Sequence, residues 1–151
     1  MASGNHSIIA GWAVIATMLC QFIPLERTNP PARMPEGVPA EVGTLLRQKC
    51  GACHSYRTVW PESAYVAPLS WYVVSRVGQA RTAMNLSVQD AAPGYTVQTW
   101  QRSTRRLFDS GSLERHGRIP GFTPPSLDRH ERKMLRDWSV EPDNGTASGN
   151  K

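Results

Sequence analysis

Cys50-Gly51-Ala52-Cys53-His54 places two thiols and an imidazole within five consecutive residues, and this cluster constrains the chain more than any other feature. Two thiols separated by two residues reach both vinyl groups of one haem as thioethers. The residue after the second thiol is then carried beneath the ring, where an imidazole binds iron. The spacing predicts one covalently attached haem c on Cys50 and Cys53, with His54 as the proximal iron ligand. Two other chemistries use such a pair. A zinc site needs two further ligands, and downstream only His116 and His130 offer them, with no second cysteine pair. A thioredoxin-like redox pair belongs in a βαβ setting, which the periodicity of this chain does not provide.

Composition divides the chain into an N-terminal apolar stretch (residues 1–24), a Pro-rich linker (25–38), a globular domain (39–138) and a polar tail (139–151). Ile8 to Pro24 is a run of 17 residues without a charge. As one helix it would span roughly 25 Å, which predicts a single N-terminal transmembrane helix in contact with membrane lipid over residues 8–24. The competing reading is a cleaved signal peptide. Such a peptide wants a basic start and small residues at a cleavage site, and neither is present. Cys20 follows Leu19, which is not the small residue that a lipidation site requires, so an inert thiol is expected there. Covalent haem attachment is associated with the outer face of a membrane. It places the rest of the chain on the periplasmic side of a bacterial-type inner membrane. Pro30, Pro31 and Pro35 favour extended backbone and predict a stiff spacer. The tail, ending in Glu141-Pro142-Asp143-Asn144-Gly145 and six more residues, has too little apolar surface to order itself.

Within the globular part four helices are predicted. The first covers about 39–50, with Val42, Leu45 and Leu46 on one side. The second covers about 68–83, with Leu69, Tyr72, Val73, Val77 and Ala80 recurring at spacings of three and four. The third covers about 96–110, with Val97, Trp100, Thr104, Leu107 and Phe108 as its apolar stripe and Gly111 at its left-handed cap. The fourth begins near Asp128, where Glu131 completes a capping box, and buries Leu127, Met134, Leu135 and Trp138. No strand alternation or repeat is visible. The fold class is all-α: a small cytochrome c-like helical domain around one haem. A domain of this size builds a modest core, so folding is expected to depend on the haem.

The formal charge is +5, and Arg102, Arg105, Arg106, Arg115 and Arg118 concentrate it late in the domain. A solvated helix face accounts for them; steering of an acidic protein partner, or contact with anionic lipid head groups, is the alternative. No motif supports nucleic-acid binding.

Over residues 21–138 the chain resembles the haem-binding domain family of short, membrane-anchored monohaem proteins. The matching pieces are Gln21-Phe22-Ile23-Pro24, Asn29-Pro30-Pro31, the CGACHS run, Thr58-x-Trp60-Pro61 and Ala67-Pro68-Leu69-Ser70-Trp71. Ala80-Arg81 with Asn85-x-Ser87, and Glu131-Arg132-x-x-Leu135-x-x-Trp138, complete the set. The resemblance implies haem binding and electron transfer without a defined reaction.

The second axial position on iron has no obvious occupant. Where an electron-transfer cytochrome c carries a ligating Met, this chain has Leu113 or Ile119, neither of which binds iron. His116, between them in a loop expected over the distal face, is the first substitute, and Met84 the second. Each also has an ordinary structural reading, as a loop histidine and a core methionine, and an open distal site is the third alternative. Met134 is expected to pack in the core and His130 to face solvent. The family tends to carry a histidine in the second helix, where this chain has Arg76. Trp60, Trp71, Tyr65 and Tyr72 are candidate walls of the haem pocket, and Arg57, Arg76 and Arg81 candidate partners for its propionates. The expected function is a membrane-anchored monohaem electron carrier rather than an enzyme, working with a redox protein or membrane complex. A haem-bearing accessory subunit and a sensor or peroxidase-like protein with an open iron are the alternatives.

Overall fold

The computed structural model describes residues 3–31, 33, 37–87, 96–123 and 126–140. Five α-helices follow one another: α1 (Ser3–Cys20), α2 (Ala40–His54), α3 (Leu69–Ala83), α4 (Val97–Asp109) and α5 (Arg129–Val140). A single 3-10 turn, Glu62–Ala64, precedes α3. Among the described residues there is no strand, and the all-α expectation holds.

The helix ends follow local chemistry. Asp128 Oδ1 accepts from the Glu131 backbone N–H at 2.7 Å, and Glu131 Oε2 accepts from that of Asp128 at 2.9 Å, which is the expected capping box. Thr96 caps α4 by accepting from the Thr99 N–H, and Gly111 after its end has φ +60°. The first domain helix runs four residues past its expected end, so the CxxCH residues form its last turn. Ser55 then turns extended, and its hydroxyl donates to the Gly51 carbonyl at 2.6 Å, satisfying an oxygen that the helix end leaves open. The last helix continues through Ser139, which is buried, and Val140, so ordered structure reaches into the expected tail; residues 141–151 lie outside the described residues.

Two apolar clusters make up the core. In the larger, Val42, Leu45 and Leu46 of α2 meet Met84, Leu86, Trp100, Leu135 and Trp138, so α2, α4 and α5 close on one another. In the smaller, Ala64, Val73 and Ile119 pack with Cys53, Trp60 and Phe122. The predicted stripes of α2, α4 and α5 are the buried ones. That of α3 is corrected: Val73 and Val77 are buried, but Leu69 and Tyr72 face outward.

The N-terminal part differs from expectation in two ways. The apolar run 8–24 is not one helix, because α1 ends at Cys20 and the next residues form turns. From Ile8 to Cys20 the helix rises about 20 Å, short of a hydrocarbon core of about 30 Å. No helix among the described residues is long and apolar enough to cross a membrane, so the expected spanning helix is not found.

The linker, expected as a stiff spacer, is instead docked on the domain over its described residues. Arg27 donates to the Ala64 carbonyl at 3.0 Å and Asn29 Nδ2 to that of Thr58 at 2.8 Å. Arg81 of α3 donates to the carbonyls of Thr28 and Ser55, to Asn29 Oδ1 and to Thr58 Oγ1. One guanidinium thus ties the linker to the end of the haem-motif helix. Its planar fork can serve several acceptors at once, which a lysine ammonium cannot do in the same geometry.

Two stability changes follow. Trp100→Ala, at a fully buried site, is expected to lower unfolding free energy by about 3–5 kcal/mol in denaturant titration. Arg81→Ala should cost on the order of 2 kcal/mol and speed tryptic cleavage after Arg27; an unchanged cleavage rate would show that the clamp does not hold the linker.

Candidate functional site

Helix α2 delivers Cys50, Cys53 and His54 on its final turn, and the two thiols part there. Cys50 packs against the larger core cluster and Cys53 against the smaller, with His54, buried, between them. His54 Nδ1 lies 2.9 Å from the backbone oxygen of Met84. A carbonyl only accepts, so Nδ1 carries the proton and Nε2 presents its lone pair. Nε2 points at His116 Nε2, 3.3 Å away, and the two ring planes are within 16° of parallel with centroids 5.6 Å apart, so the rings meet end to end.

Electrostatics keep both rings neutral. Burial lowers the affinity of His54 for a proton, against the opposing hydrogen bonds to backbone carbonyls. Burial first, then His54 and Arg76, lower that of His116. Neutral imidazole is the form that ligates iron. The thiols go the other way. Burial pushes Cys50 up to about 12, with Cys53 adding to the effect, and burial also raises Cys53 against the pull of Arg81. A redox-active CxxC pair needs a depressed thiol, so this environment speaks against dithiol exchange. No group of three or more His, Cys, Asp or Glu is arranged to hold a metal ion among the described residues.

An apolar cavity of about 110 Å³ adjoins the histidine pair. Leu46, Phe108, Leu113, Leu127 and Leu135 wall it, and Cys50, Met84 and both histidines reach it. The residues present fit a haem. His54 Nε2 and His116 Nε2 would hold the iron, Cys50 lines the same cavity while Cys53 precedes His54 in the chain, and the wall is apolar. Trp60 Nε1, beside the Cys53 cluster, and Trp100 Nε1, in the larger cluster, are buried with no hydrogen-bond partner among the described residues, and neither tryptophan is among the cavity walls. The cavity is smaller than a porphyrin.

Other expected site residues fall differently. The Met84 carbonyl holds the outer nitrogen of His54, while its sulfur lies 3.9 Å from Thr104 Oγ1 and the buried side chain is one of the cavity walls. Leu113 and Ile119 are buried as aliphatic residues. Arg76 is exposed on α3, bonded to Gln79, and close enough to His116 to influence it. Arg81 sits over the rings of Tyr56 and Trp60 and spends its donors on the linker clamp. Trp71 is half-buried and not among the described cavity walls; Tyr65, Tyr72 and His130 are exposed. Sequence reasoning overlooked the cleft of about 420 Å³ behind the CxxCH turn, where Arg33, Arg47 and Arg57 surround Gly51 and Ala52. Charge counting pointed instead to residues 102–118, because these three arginines are scattered along the chain.

The loop with His116 is pinned at one place. Gly121 has φ +85°, and a Cβ there would lie 2.5 Å from Pro61 Cβ and 2.7 Å from Ser63 Oγ, while Ser63 donates to the Pro120 carbonyl at 2.7 Å. Gly121→Ala is expected to destabilise the protein by about 1–3 kcal/mol. Gly111→Ala, where nothing lies within 4 Å of the added carbon, should cost clearly less. Equal melting shifts for the two variants would show that the contact with Pro61 is not the limiting one.

Fold and site together define an all-helical domain organised around a CxxCH helix and a facing histidine pair. The chain belongs to the haem-binding domain family, whose model matches residues 15–141. No curated protein and no solved structure matches it.

Proposed function

We propose that this haem-binding protein attaches one haem c through Cys50 and Cys53, ligates its iron with His54 and His116, and carries single electrons at the outer, periplasmic face of a membrane. The observation that carries the reading is the pair of Nε2 atoms facing each other at 3.3 Å across nearly parallel rings. When bound, the haem supplies one-electron redox chemistry. The chain's own residues do the rest. The Met84 carbonyl holds His54 in the tautomer that ligates and fixes its ring. Leu46, Phe108, Leu113, Leu127 and Leu135 exclude water. A second histidine facing the first favours electron carriage over sensing or peroxidase chemistry, both of which need an open coordination position. The arginine-lined cleft behind the CxxCH turn supports an acidic redox partner, alone or within a membrane complex.

Membrane attachment rests on α1. Ile8, Ile9, Trp12, Val14, Ile15, Met18 and Leu19 are exposed around it, and a helix with apolar side chains on all sides is stable when lipid or a partner covers it.

The protein produced with a c-type haem maturation system should retain haem on a denaturing gel and give a low-spin electron-paramagnetic spectrum. Cys50→Ser with Cys53→Ser should abolish covalent haem. His116→Ala should convert the iron to a high-spin form that binds carbon monoxide. A His116→Ala variant that stays low-spin would refute the histidine pair, and haem lost from the wild type on denaturation would refute thioether attachment.

A further inference from the structure

Beyond α1, the described residues with large exposed apolar side chains gather mostly at one place. Phe22 and Ile23 follow the end of α1; Tyr65 and Val66 form the turn before α3, and Leu69 and Tyr72 stand one helical turn apart on its outer side. Each is between 47% and 84% exposed, where an isolated soluble domain would bury or replace such residues. They are joined by a specific contact. The Gln21 side chain accepts from the Ala67 N–H at 3.1 Å and donates to the Ala67 carbonyl at 3.4 Å. This fixes the end of α1 against the 65–72 segment. Arg27, after the same exit, donates to Ala64 and places its guanidinium 4.7 Å from the Tyr65 ring centroid.

We infer that this face is a membrane-contact surface: the haem domain lies on the lipid through Tyr65, Val66, Leu69 and Tyr72 rather than swinging on a tether. The inference rests on the reading of α1 as a membrane anchor. Its own support is the Gln21–Ala67 contact, which makes the patch continuous with the end of a helix whose apolar side chains from Ile8 to Leu19 are exposed, so that whatever covers them also meets the patch. The chemistry suits an interface. Tyrosines set an apolar ring in the headgroup region with the hydroxyl towards water, and an arginine stacked on one of them suits anionic headgroups. The linker stitched down by Arg81 leaves no slack for the domain to move away. Docked in this way, the haem keeps one orientation to the membrane, and a membrane-bound donor or acceptor meets the same edge each time.

The test uses the full haem-loaded chain in vesicles of phosphatidylcholine and phosphatidylglycerol. Single nitroxide labels are placed by Ile15→Cys, Val66→Cys or Arg102→Cys in a Cys20→Ser background. Collision with oxygen, which concentrates in lipid, is compared with collision with a water-soluble nickel chelate. The expected result is lipid-like accessibility at positions 15 and 66 and aqueous accessibility at 102, with chelate collisions several-fold lower at 66 than at 102. A protected position 15 with position 66 as aqueous as 102 would overturn the contact surface and leave the anchor standing. An aqueous position 15 would overturn the anchor and the surface with it.

Discussion

His54 is gripped at both ring nitrogens, by the Met84 carbonyl at Nδ1 and by the His116 ring at Nε2, and three separate segments take their places from that double contact. The end of α2 supplies His54 itself, the end of α3 supplies the carbonyl, and the loop after α4 brings the second ring. Each contact has a reason to persist. A buried imidazole without partners would leave two polar atoms unsatisfied in an apolar wall. Partners at both nitrogens satisfy it and select one tautomer.

The rest of the fold braces these three segments. Trp100, Leu135 and Trp138 hold α4 and α5 against the first half of α2, leaving its last turn at the seam between the two core clusters. Arg81 fastens the far side of that turn to the linker through Ser55 and Thr58. Gly121, pressed on Pro61, pins the His116 loop at its other end. The site is thus supported by rigid elements at three corners, while its interior is lined by leucines and one phenylalanine. Such a wall yields more readily than a hydrogen-bonded one when a large flat apolar group enters.

Burial acts in opposite directions on the two kinds of side chain there. It lowers the proton affinity of the histidines and keeps both thiols protonated. The same apolar surroundings that suit a porphyrin therefore quiet the CxxC pair as a redox centre. Family membership and local electrostatics point the same way by independent routes.

Much was legible in the residue order, because it depends on neighbours along the chain. The CxxCH spacing, the capping box at Asp128 and Glu131, the glycine cap at Gly111 and the stripes of α2, α4 and α5 are all local. His116 could be singled out as a loop histidine and no further, since facing His54 requires two segments 62 residues apart to meet. The outward turn of Leu69 and Tyr72 escaped periodicity for a related reason. A helical stripe says which residues share a face, but what covers that face is decided elsewhere. Likewise the prolines of the linker predicted stiffness, yet only the folded domain put Arg81 within reach of Thr28 and Asn29. The sequence by itself determined the four helices of the domain and the haem-binding family, which follow from short-range spacing and the order of motifs. The facing imidazole, the docked linker and the exposed apolar face were decided by tertiary structure, because each depends on which distant surfaces the packed core brings together.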